Sequence, residues 1–176
     1  MRIVYGDLEI RNADAADCAQ LAAWWNDGAV MAHAGFPKGL GTSAQRIAAQ
    51  IATDTDDTRR RLVIAYRGRL IGECSYRVLP GQEAEIGIKI CEADMQEKGL
   101  GKVILSLLIR ALFDRGMRRI VLDTNLKNTR AQHVYERLGF RRLGVRESCW
   151  QDQLGQWQSA VDYALVPEDF VDFATA

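Results

Sequence analysis

Alternation of apolar and polar residues predicts most of the strands in this chain. In residues 84–90 the isoleucines fall on one face, while Glu85, Gly87 and Lys89 fall on the other. Arg67-Gly68-Arg69 is typical of a tight turn between two such strands. Shorter patterns of the same kind predict further strands at 8–11, 62–66, 70–76, 120–122, 140–145 and 159–165.

Apolar residues at helical spacing predict four helices. The first ends near Trp25 and is capped by Asn12 or Asp14, and the second is capped by Thr42 or Ser43. The third covers 99–113, and the fourth covers 128–138 with Gly139 as the glycine just beyond its end.

The order of these elements is β-α-α-β-β-β-α-β-α-β-β, and no repeat or linker divides it. It predicts a single α/β domain over 1–176, with a mixed, mainly antiparallel central sheet flanked by helices.

Composition narrows the class of protein. Of the 176 residues 48% are hydrophobic and 26% charged, and Lys plus Arg equals Asp plus Glu at 23 each. A zero net charge argues against a nucleic-acid partner. Without an export signal or an apolar run long enough for a membrane span, we expect a cytoplasmic protein with no membrane partner. We therefore expect the four separated cysteines, of which Cys91 precedes the segment described next, to be reduced thiols.

A glycine-containing segment connects the strand at 84–90 to the long helix. It reads Gln96-Glu97-Lys98-Gly99-Leu100-Gly101-Lys102, so two glycines stand where the helix begins. The N-terminus of a helix has unpaired N–H groups and partial positive charge, and glycines let an anion approach them. The two lysines add positive charge, so the segment predicts a phosphate-binding loop. Its spacing matches neither a P-loop nor a dinucleotide fingerprint.

A second pattern lies further along the chain. Asn128, Ala131, Tyr135, Glu136, Gly139 and Phe140 follow the form Asn-x-x-Ala-x-x-x-Tyr-Glu-x-x-Gly-Phe. Together with Gln96-x-x-Gly99-x-Gly101 it resembles the GNAT superfamily of N-acetyltransferases, over roughly 8–166 and most specifically over 84–140. Trp24-Trp25-Asn26-Asp27 is similar to the branch that holds ribosomal-protein N-terminal acetylases and aminoglycoside 6′-N-acetyltransferases.

The resemblance implies acetyl-CoA as co-substrate and no metal. By the family pattern, the strand at 88–91 binds the pantetheine arm, the amides of 96–102 bind the pyrophosphate, and Asn128 hydrogen-bonds the cofactor arm. The family's frequent proline before the loop is replaced here by Glu92-Ala93-Asp94-Met95. The expected cofactor-binding residues are Ile88, Ile90, Gln96, Lys98, Gly99, Leu100, Gly101, Lys102 and Asn128.

Two catalytic roles are expected. The resemblance makes Tyr135 the general acid for the departing thiolate; the alternative is an aromatic residue that only packs on Phe140. An ammonium acceptor must also lose a proton before it attacks the thioester. Glu85 is the first candidate base, acting through water, with Glu73 and Glu83 as alternatives; any of these carboxylates could equally serve only in an ion pair.

The acceptor amine is expected between the 26–40 loop and the 147–157 hairpin. The acidic residues there could attract a cationic amine or simply be solvated loop charges. A helical tryptophan is more often buried in the core. The expected substrate-binding residues are Trp25, His33, Phe36 and Trp150, and the acidic ones are Asp27, Glu147 and Asp152.

Three functions agree with these patterns. The leading one is acetyl transfer from acetyl-CoA to a primary amine of a small molecule or peptide. The second is a non-catalytic acyl-CoA-binding or regulatory module, which the presence of Tyr135 disfavours. The third is an α/β interaction domain whose glycines are coincidental. The acceptor and the oligomeric state stay open, and a homodimer is among the states the sequence allows.

Overall fold

Eight strands form one sheet in the order β1-β2-β3-β4-β5-β6-β8-β7, in a computed structural model that describes residues 1–175. Neighbouring strands are antiparallel except β5 and β6, which run parallel. The predicted mixed, mainly antiparallel sheet is therefore confirmed. The strands are β1 Arg2–Tyr5, β2 Leu8–Asn12, β3 Arg59–Tyr66, β4 Arg69–Leu79, β5 Glu83–Ile90, β6 Arg119–Asn125, β7 Arg141–Gln151 and β8 Trp157–Leu165.

Five α-helices in residues 1–175 flank this sheet. At two of them the sequence left a choice between two capping residues, and the structure shows which one is used. Asp14, rather than Asn12, accepts a hydrogen bond from the Ala16 amide at 2.8 Å and opens the turn that leads into α1. Ser43, rather than Thr42, accepts one from the Arg46 amide at 3.3 Å. The helices are α1 Cys18–Trp25, α2 Gly28–Met31, α3 Ala44–Ile51, α4 Leu100–Asp114 and α5 Thr129–Arg137. Within residues 1–175 no helix is long and apolar enough to cross a membrane.

Two elements are missing from the predicted order. The first is β1, whose sequence has three apolar residues in succession, so exposed Val4 hides the alternation that its burial in the structure follows. The second is α2, which has only four residues and is too short to show a helical period. It begins where the Asp27 carboxylate accepts a hydrogen bond from the Ala29 amide at 2.8 Å.

The two faces of the sheet carry separate hydrophobic cores. On β3, Leu62 and Ile64 point into a large core shared with α4 and α5, whereas Val63 between them points into a smaller core shared with α1 and α3. This alternation places α4 and α5 on one face and α1 and α3 on the other. A ligand that lies between β5 and β6 can therefore contact elements of both layers.

β5 and β6 separate part-way along their length. Their parallel pairing covers only Glu83 to Glu85 on β5 and Arg119 to Val121 on β6. β5 continues to Ile90 while still paired with β4, and β6 continues to Asn125 while still paired with β8. The sheet is consequently split at this point, and a cleft opens between the two strands.

Candidate active site

The cleft between β5 and β6 has a volume of about 730 Å³, within the size range of small-molecule sites. Residues 87–90 form one wall, and residues 123–125 with the inner side of α5 form the other. One end of the cleft reaches the start of α4, and the opposite end reaches α2 and Trp150. Charged side chains and apolar ones therefore line one continuous cavity.

The cleft-facing edge of β5 has lost its pairing partner, so its backbone groups face the cleft instead of a strand. Ile88 and Ile90, the two residues expected to offer backbone groups to the cofactor, both line this edge. The Ile90 carbonyl already accepts a hydrogen bond from the Gln96 side chain at 2.9 Å. Ile88 and its neighbours are thus the part of the edge that an extended ligand can pair with.

The loop before α4 leaves the N-terminus of the helix open. Gly99 stands at the cap position with a left-handed φ of 74°, and no side chain of residues 1–175 caps the helix. A Cβ built on Gly101 would meet nothing closer than Ile90 Cδ1 at 4.0 Å, so this glycine leaves the space above the helix clear. The amides at the start of α4 are therefore accessible to an anion.

Gln96 has a different role from the one expected for the loop amides. Its backbone N–H donates to the Ala93 carbonyl at 3.2 Å, and its side chain donates to Ile90. Both donors are used inside the protein, because the short helical turn Ala93–Met95 precedes this residue. Gln96 anchors the loop to β5, and the anion-binding amides begin after it.

The residues that replace the family's proline are held in place by side chains. Arg69 forms ion pairs with Glu92 at 2.6 Å and with Asp94 at 2.8 Å. The Trp24 indole donates to the other oxygen of Glu92 at 2.8 Å. These contacts from β4 and α1 fix the start of the loop without a proline ring.

Positive charge collects at the α4 end of the cleft. Lys102 lines the cleft as expected, whereas Lys98 is exposed and lies outside it. Two further cations on α5, Arg130 and Arg137, also line this end, and the sequence analysis did not predict them as site residues. Their spacing of seven residues puts both on one helical face, a signal that the sequence contains. Asn128 also lines the cleft, and its side-chain oxygen accepts from the Ala131 amide at 3.2 Å.

Tyr135 reaches the cleft from the inner face of α5. Its ring packs against Phe140 and Tyr163, each with centroids 5.8 Å away, so the packing role and access to the cleft occur together. Its hydroxyl forms no hydrogen bond with residues 1–175, and it is not sealed from solvent. Burial raises the pKa of Tyr135 to about 12, and the nearby Asp123 and Tyr163 add to the shift. The hydroxyl therefore stays protonated at neutral pH.

The four residues expected on the acceptor side divide into two pairs. His33 and Trp150 line the cleft, at the end formed by α2 and β7. Trp25 and Phe36 do not line it. The Trp25 indole turns towards the sheet and donates to the Glu73 carboxylate at 2.8 Å, whereas Phe36 lies exposed on the following loop.

Glu85 lies outside this cleft. Its carboxylate forms an ion pair with Arg77 at 2.9 Å and lines a second cavity of about 360 Å³. The reason is its position: it sits where β5 and β6 are still paired, before the strands separate. Asp123, two residues beyond the last paired residue of β6, lines both cavities. The role of Glu85 as base stays a prediction, and the geometry gives it no direct access to the cleft.

Two of the three acidic loop residues are used to build the loops. Asp27 caps α2 as described above, and Asp152 accepts hydrogen bonds from the Leu154 and Gln156 amides at 2.9 Å each. Cys91, just before the loop, is buried, and burial raises its pKa to about 12. Its thiol stays protonated and serves as a small core residue.

Comparison with known proteins agrees with this arrangement. The sequence model of the Acetyltransferase (GNAT) domain matches residues 7–141. The chain belongs to the GNAT acetyltransferase family. Among solved structures, the spermidine N-acetyltransferase of Vibrio cholerae, in complex with CoA and spermine, has the same fold with a TM-score of 0.81. It is 20% identical, and the alignment covers 93% of this chain and 97% of that one.

Relatives within the GNAT family include two kinds of curated enzyme. The chain is 30% identical to a mycothiol acetyltransferase of an Arthrobacter species over 156 residues, which are 81% of this chain and 48% of that protein. It is 33% identical to the ribosomal protein bS18-alanine N-acetyltransferase of Haemophilus ducreyi over 70 residues, 40% of this chain and 48% of that protein. The chain thus spans about half or less of the length of the curated relatives it matches.

Proposed function

We propose that this chain is an acetyl-CoA-dependent N-acetyltransferase that transfers acetyl to a primary amine of a small molecule or peptide by direct attack. One observation carries the proposal: a single cleft joins the open N-terminus of α4, the unpaired edge of β5 and the Tyr135 hydroxyl. Coenzyme A needs these features in this order, because it carries a pyrophosphate, an extended amide-containing arm and a reactive thiol end.

The α4 end of the cleft fits the phosphates. The amides that follow Gly99 have no capping side chain, and Lys102, Arg130 and Arg137 supply positive charge around them. Arg130 is 3.0 Å from the Glu97 carboxylate across the mouth of the cleft. Both side chains of this pair are exposed, so exchanging Glu97 for a phosphate costs little.

The middle of the cleft fits the pantetheine arm. Its two amides can pair with the edge of β5 near Ile88 as an added strand would. The Asn128 side-chain oxygen is used to cap α5, so its amide N–H₂ is the group that can donate to the arm. An arm bound in this way would have its thioester beside Tyr135, which lines the same cleft.

Proton transfers then follow from the positions of the side chains. A neutral amine forms the new C–N bond with the thioester carbonyl carbon, the C–S bond breaks, and the sulfur leaves as a thiolate. Tyr135 donates its hydroxyl hydrogen to that sulfur, and the proton that the nitrogen loses as the amide forms returns through water to the Tyr135 oxygen, so that the products are the amide and the free thiol. An N–H of the β5 edge donates to the carbonyl oxygen as negative charge develops on it.

The proton of the acceptor ammonium needs a second group. Glu85, the candidate from sequence, would have to act through water from the second cavity. Asp123 has a more direct position, because it lines the cleft itself and its ion pair with Arg146 is exposed and therefore weak. Comparing Glu85→Gln with Asp123→Asn distinguishes the two: the variant that removes the base loses the acidic limb of the kcat/KM profile.

Two measurements test the proposal. Acetyl-CoA at about 100 times its dissociation constant should stabilise the protein by about 2.7 kcal/mol. Thiol release in the presence of a panel of amines then tests transfer. Stabilisation without thiol release from any amine would favour the non-catalytic acyl-CoA-binding module, and no stabilisation at millimolar acetyl-CoA would contradict both.

A further inference from the structure

The acceptor end of the cleft contains a lysine that forms no ion pair with any described residue. Lys89 projects from β5 beside α2 and lines the cleft together with His33 and Trp150. In the part of the chain that the structure describes, the recorded hydrogen bond of its ammonium goes to the Met31 sulfur, at 2.9 Å, and no carboxylate lies within ion-pair distance. A thioether is a neutral, weak acceptor, so the charge of Lys89 stays uncompensated.

The nearest strand neighbour with a carboxylate does not neutralise this charge. Glu73 stands opposite Lys89 in the β4–β5 ladder, but its carboxylate is engaged by the Trp25 indole at 2.8 Å. Burial raises the pKa of Glu73, although the Trp25 hydrogen bond and the charges of Lys89 and Arg61 oppose the shift. Glu73 is therefore a poor counter-ion for Lys89, because its carboxylate is already bonded to Trp25 and no ion pair joins it to the lysine.

Among the described residues that line the cleft, the acidic one in this half is Asp123, and it is also paired. Asp123 forms an ion pair with Arg146 at 2.8 Å, and Arg146 pairs with Asp162 at the same distance. The acidic loop residues Asp27 and Asp152 are engaged with backbone amides, as described above. Glu147, the third acidic loop residue, does not line the cleft, so among the described lining residues a polycationic acceptor would meet Lys89 and only carboxylates that are already paired.

We infer that the acceptor carries an anionic group, a carboxylate, on the same molecule as its amine, and that Lys89 binds this group. This inference rests on the proposed function, because it concerns the second substrate of the same cleft. Lys89 is half-buried, and a charge-assisted hydrogen bond in such a position discriminates more strongly than one at the surface. The class comprises free amino acids and peptides whose N-terminal residue is followed by an acidic one.

Matched acceptor pairs test the inference in thiol-release assays. The first pair is L-leucine and L-leucinamide, and the second is the C-terminal amides of Ala-Glu and Ala-Gln. We expect kcat/KM to be about tenfold or more higher for the anionic member of at least one pair, because a lost charged hydrogen bond costs that much. The pair that responds shows whether the carboxylate comes from an amino acid or from a peptide side chain. Spermidine should be a poorer substrate than either anionic acceptor.

Variants at Lys89 complete the test. In the responding pair, Lys89→Gln should bring the kcat/KM of the carboxylate-bearing acceptor close to that of its amide. Lys89→Arg keeps the positive charge and should preserve most of the preference for the carboxylate. Arg46→Gln is the matched control, because it removes one positive charge from α3 outside the cleft and should leave the ratio unchanged.

Each contrary result has a different meaning. Turnover of spermidine or the neutral amides at rates equal to the anionic acceptors, unaffected by Lys89→Gln, would overturn the inference while leaving the proposed function intact. Absence of thiol release with every amine, despite stabilisation by acetyl-CoA, would contradict the proposed function instead.

Discussion

The indole ring of Trp150 lies against Gly35, so close that a Cβ on Gly35 would come within 2.3 Å of ring atom Cζ3. Gly35 also adopts a left-handed φ of 94°, and its carbonyl accepts a hydrogen bond from the Gln153 amide at 2.8 Å. The loop after α2 and the β7–β8 hairpin therefore form one continuous wall at the acceptor end of the cleft.

Substituting Gly35 should affect the acceptor and spare the cofactor. In Gly35→Ala the new methyl group must displace the Trp150 ring, so we expect a several-fold higher KM for the amine. The affinity for acetyl-CoA, measured by calorimetry, should change by less than about twofold, since its binding residues lie at the other end. Gly155→Ala is the control: it has a similar φ of 76° but nothing within 4 Å of its Cβ. Equal acceptor kinetics in both variants would show that Trp150 does not shape the site.

Removing the Tyr135 hydroxyl should separate chemistry from binding. Tyr135→Phe keeps the ring packing on Phe140 but removes the donor, so we expect kcat to fall by about 10² or more with little change in acetyl-CoA affinity. Tyr163→Phe is the matched control, because its hydroxyl is bonded to Glu136 at 2.9 Å and it does not line the cleft. Unchanged kcat in Tyr135→Phe would remove this residue as the proton donor.

Because the pKa of Tyr135 is raised in the folded protein, its contribution to stability decreases as the pH rises. Its folded pKa of about 12 lies above the unfolded value near 10, so the unfolded chain ionises first as the pH rises. The stability that this residue contributes is complete below about pH 10 and is lost between about pH 10 and 12. Difference absorbance titration of the native protein against Tyr135→Phe should show phenolate forming near pH 12. Ionisation near pH 10 would contradict the burial of this hydroxyl.

A charge at Gly101 should abolish cofactor binding. Gly101→Asp places a carboxylate where the phosphates would lie and opposes them electrostatically, so we expect the affinity for acetyl-CoA to fall by about 100-fold or more. Gly101→Ala should have a much smaller effect, because its methyl group meets only Ile90 at 4.0 Å. Gly144→Asp, on β7 and outside this cleft, controls for the added charge. Normal affinity in Gly101→Asp would place the phosphates elsewhere.

A buried ion pair should dominate stability near the N-terminus. Both Asp17 oxygens accept from Arg11 at 2.8 Å, and the Asp14 amide donates to one of them. Asp17→Asn should lower the free energy of unfolding by about 3 kcal/mol, against less than about 1 kcal/mol for Glu9→Gln in the exposed Arg2–Glu9 pair.

The pH dependence of that pair runs opposite to that of Tyr135. Burial alone would raise the pKa of Asp17, but the Arg11 guanidinium and the Asp14 amide outweigh it and lower the pKa. Its contribution is therefore complete above the unfolded pKa near 4 and is lost as the pH falls through the lower folded value. Denaturant unfolding at about pH 7 and about pH 3 should show the difference between native protein and Asp17→Asn shrinking in acid.

Local patterns predicted the parts of the site that depend on local structure. The alternation before Ile90 marks β5, and the glycines of 99–101 mark an uncapped helix start, because both properties are set by neighbouring residues. Tyr135 was expected from the resemblance of the second pattern to the GNAT family, and its position on the inner face of α5 brings it to the cleft. These features needed no knowledge of the order of strands in the sheet.

The parts that sequence did not predict depend on distant contacts. Trp25 turns towards Glu73 because a buried carboxylate on β4 accepts its N–H, and that partner lies 48 residues along the chain. Glu85 falls outside the cleft because β5 and β6 are still paired at that residue, which is a property of the sheet. The use of both Gln96 donors inside the loop likewise follows from the three-dimensional path of the chain.

The split between β5 and β6 also bears on how this protein avoids aggregation. An unpaired strand edge is a template for intermolecular β-pairing, and soluble proteins normally protect such edges at the margins of their sheets. Here the edge lies between two strands of the same sheet, with α4 and α5 covering one face. A strand of a neighbouring protein would have to insert between β5 and β6 to pair with this edge. A flexible small molecule can reach the edge through the opening of the cleft. The unpaired backbone groups of β5 are therefore accessible to a small ligand but protected from pairing with strands of other proteins.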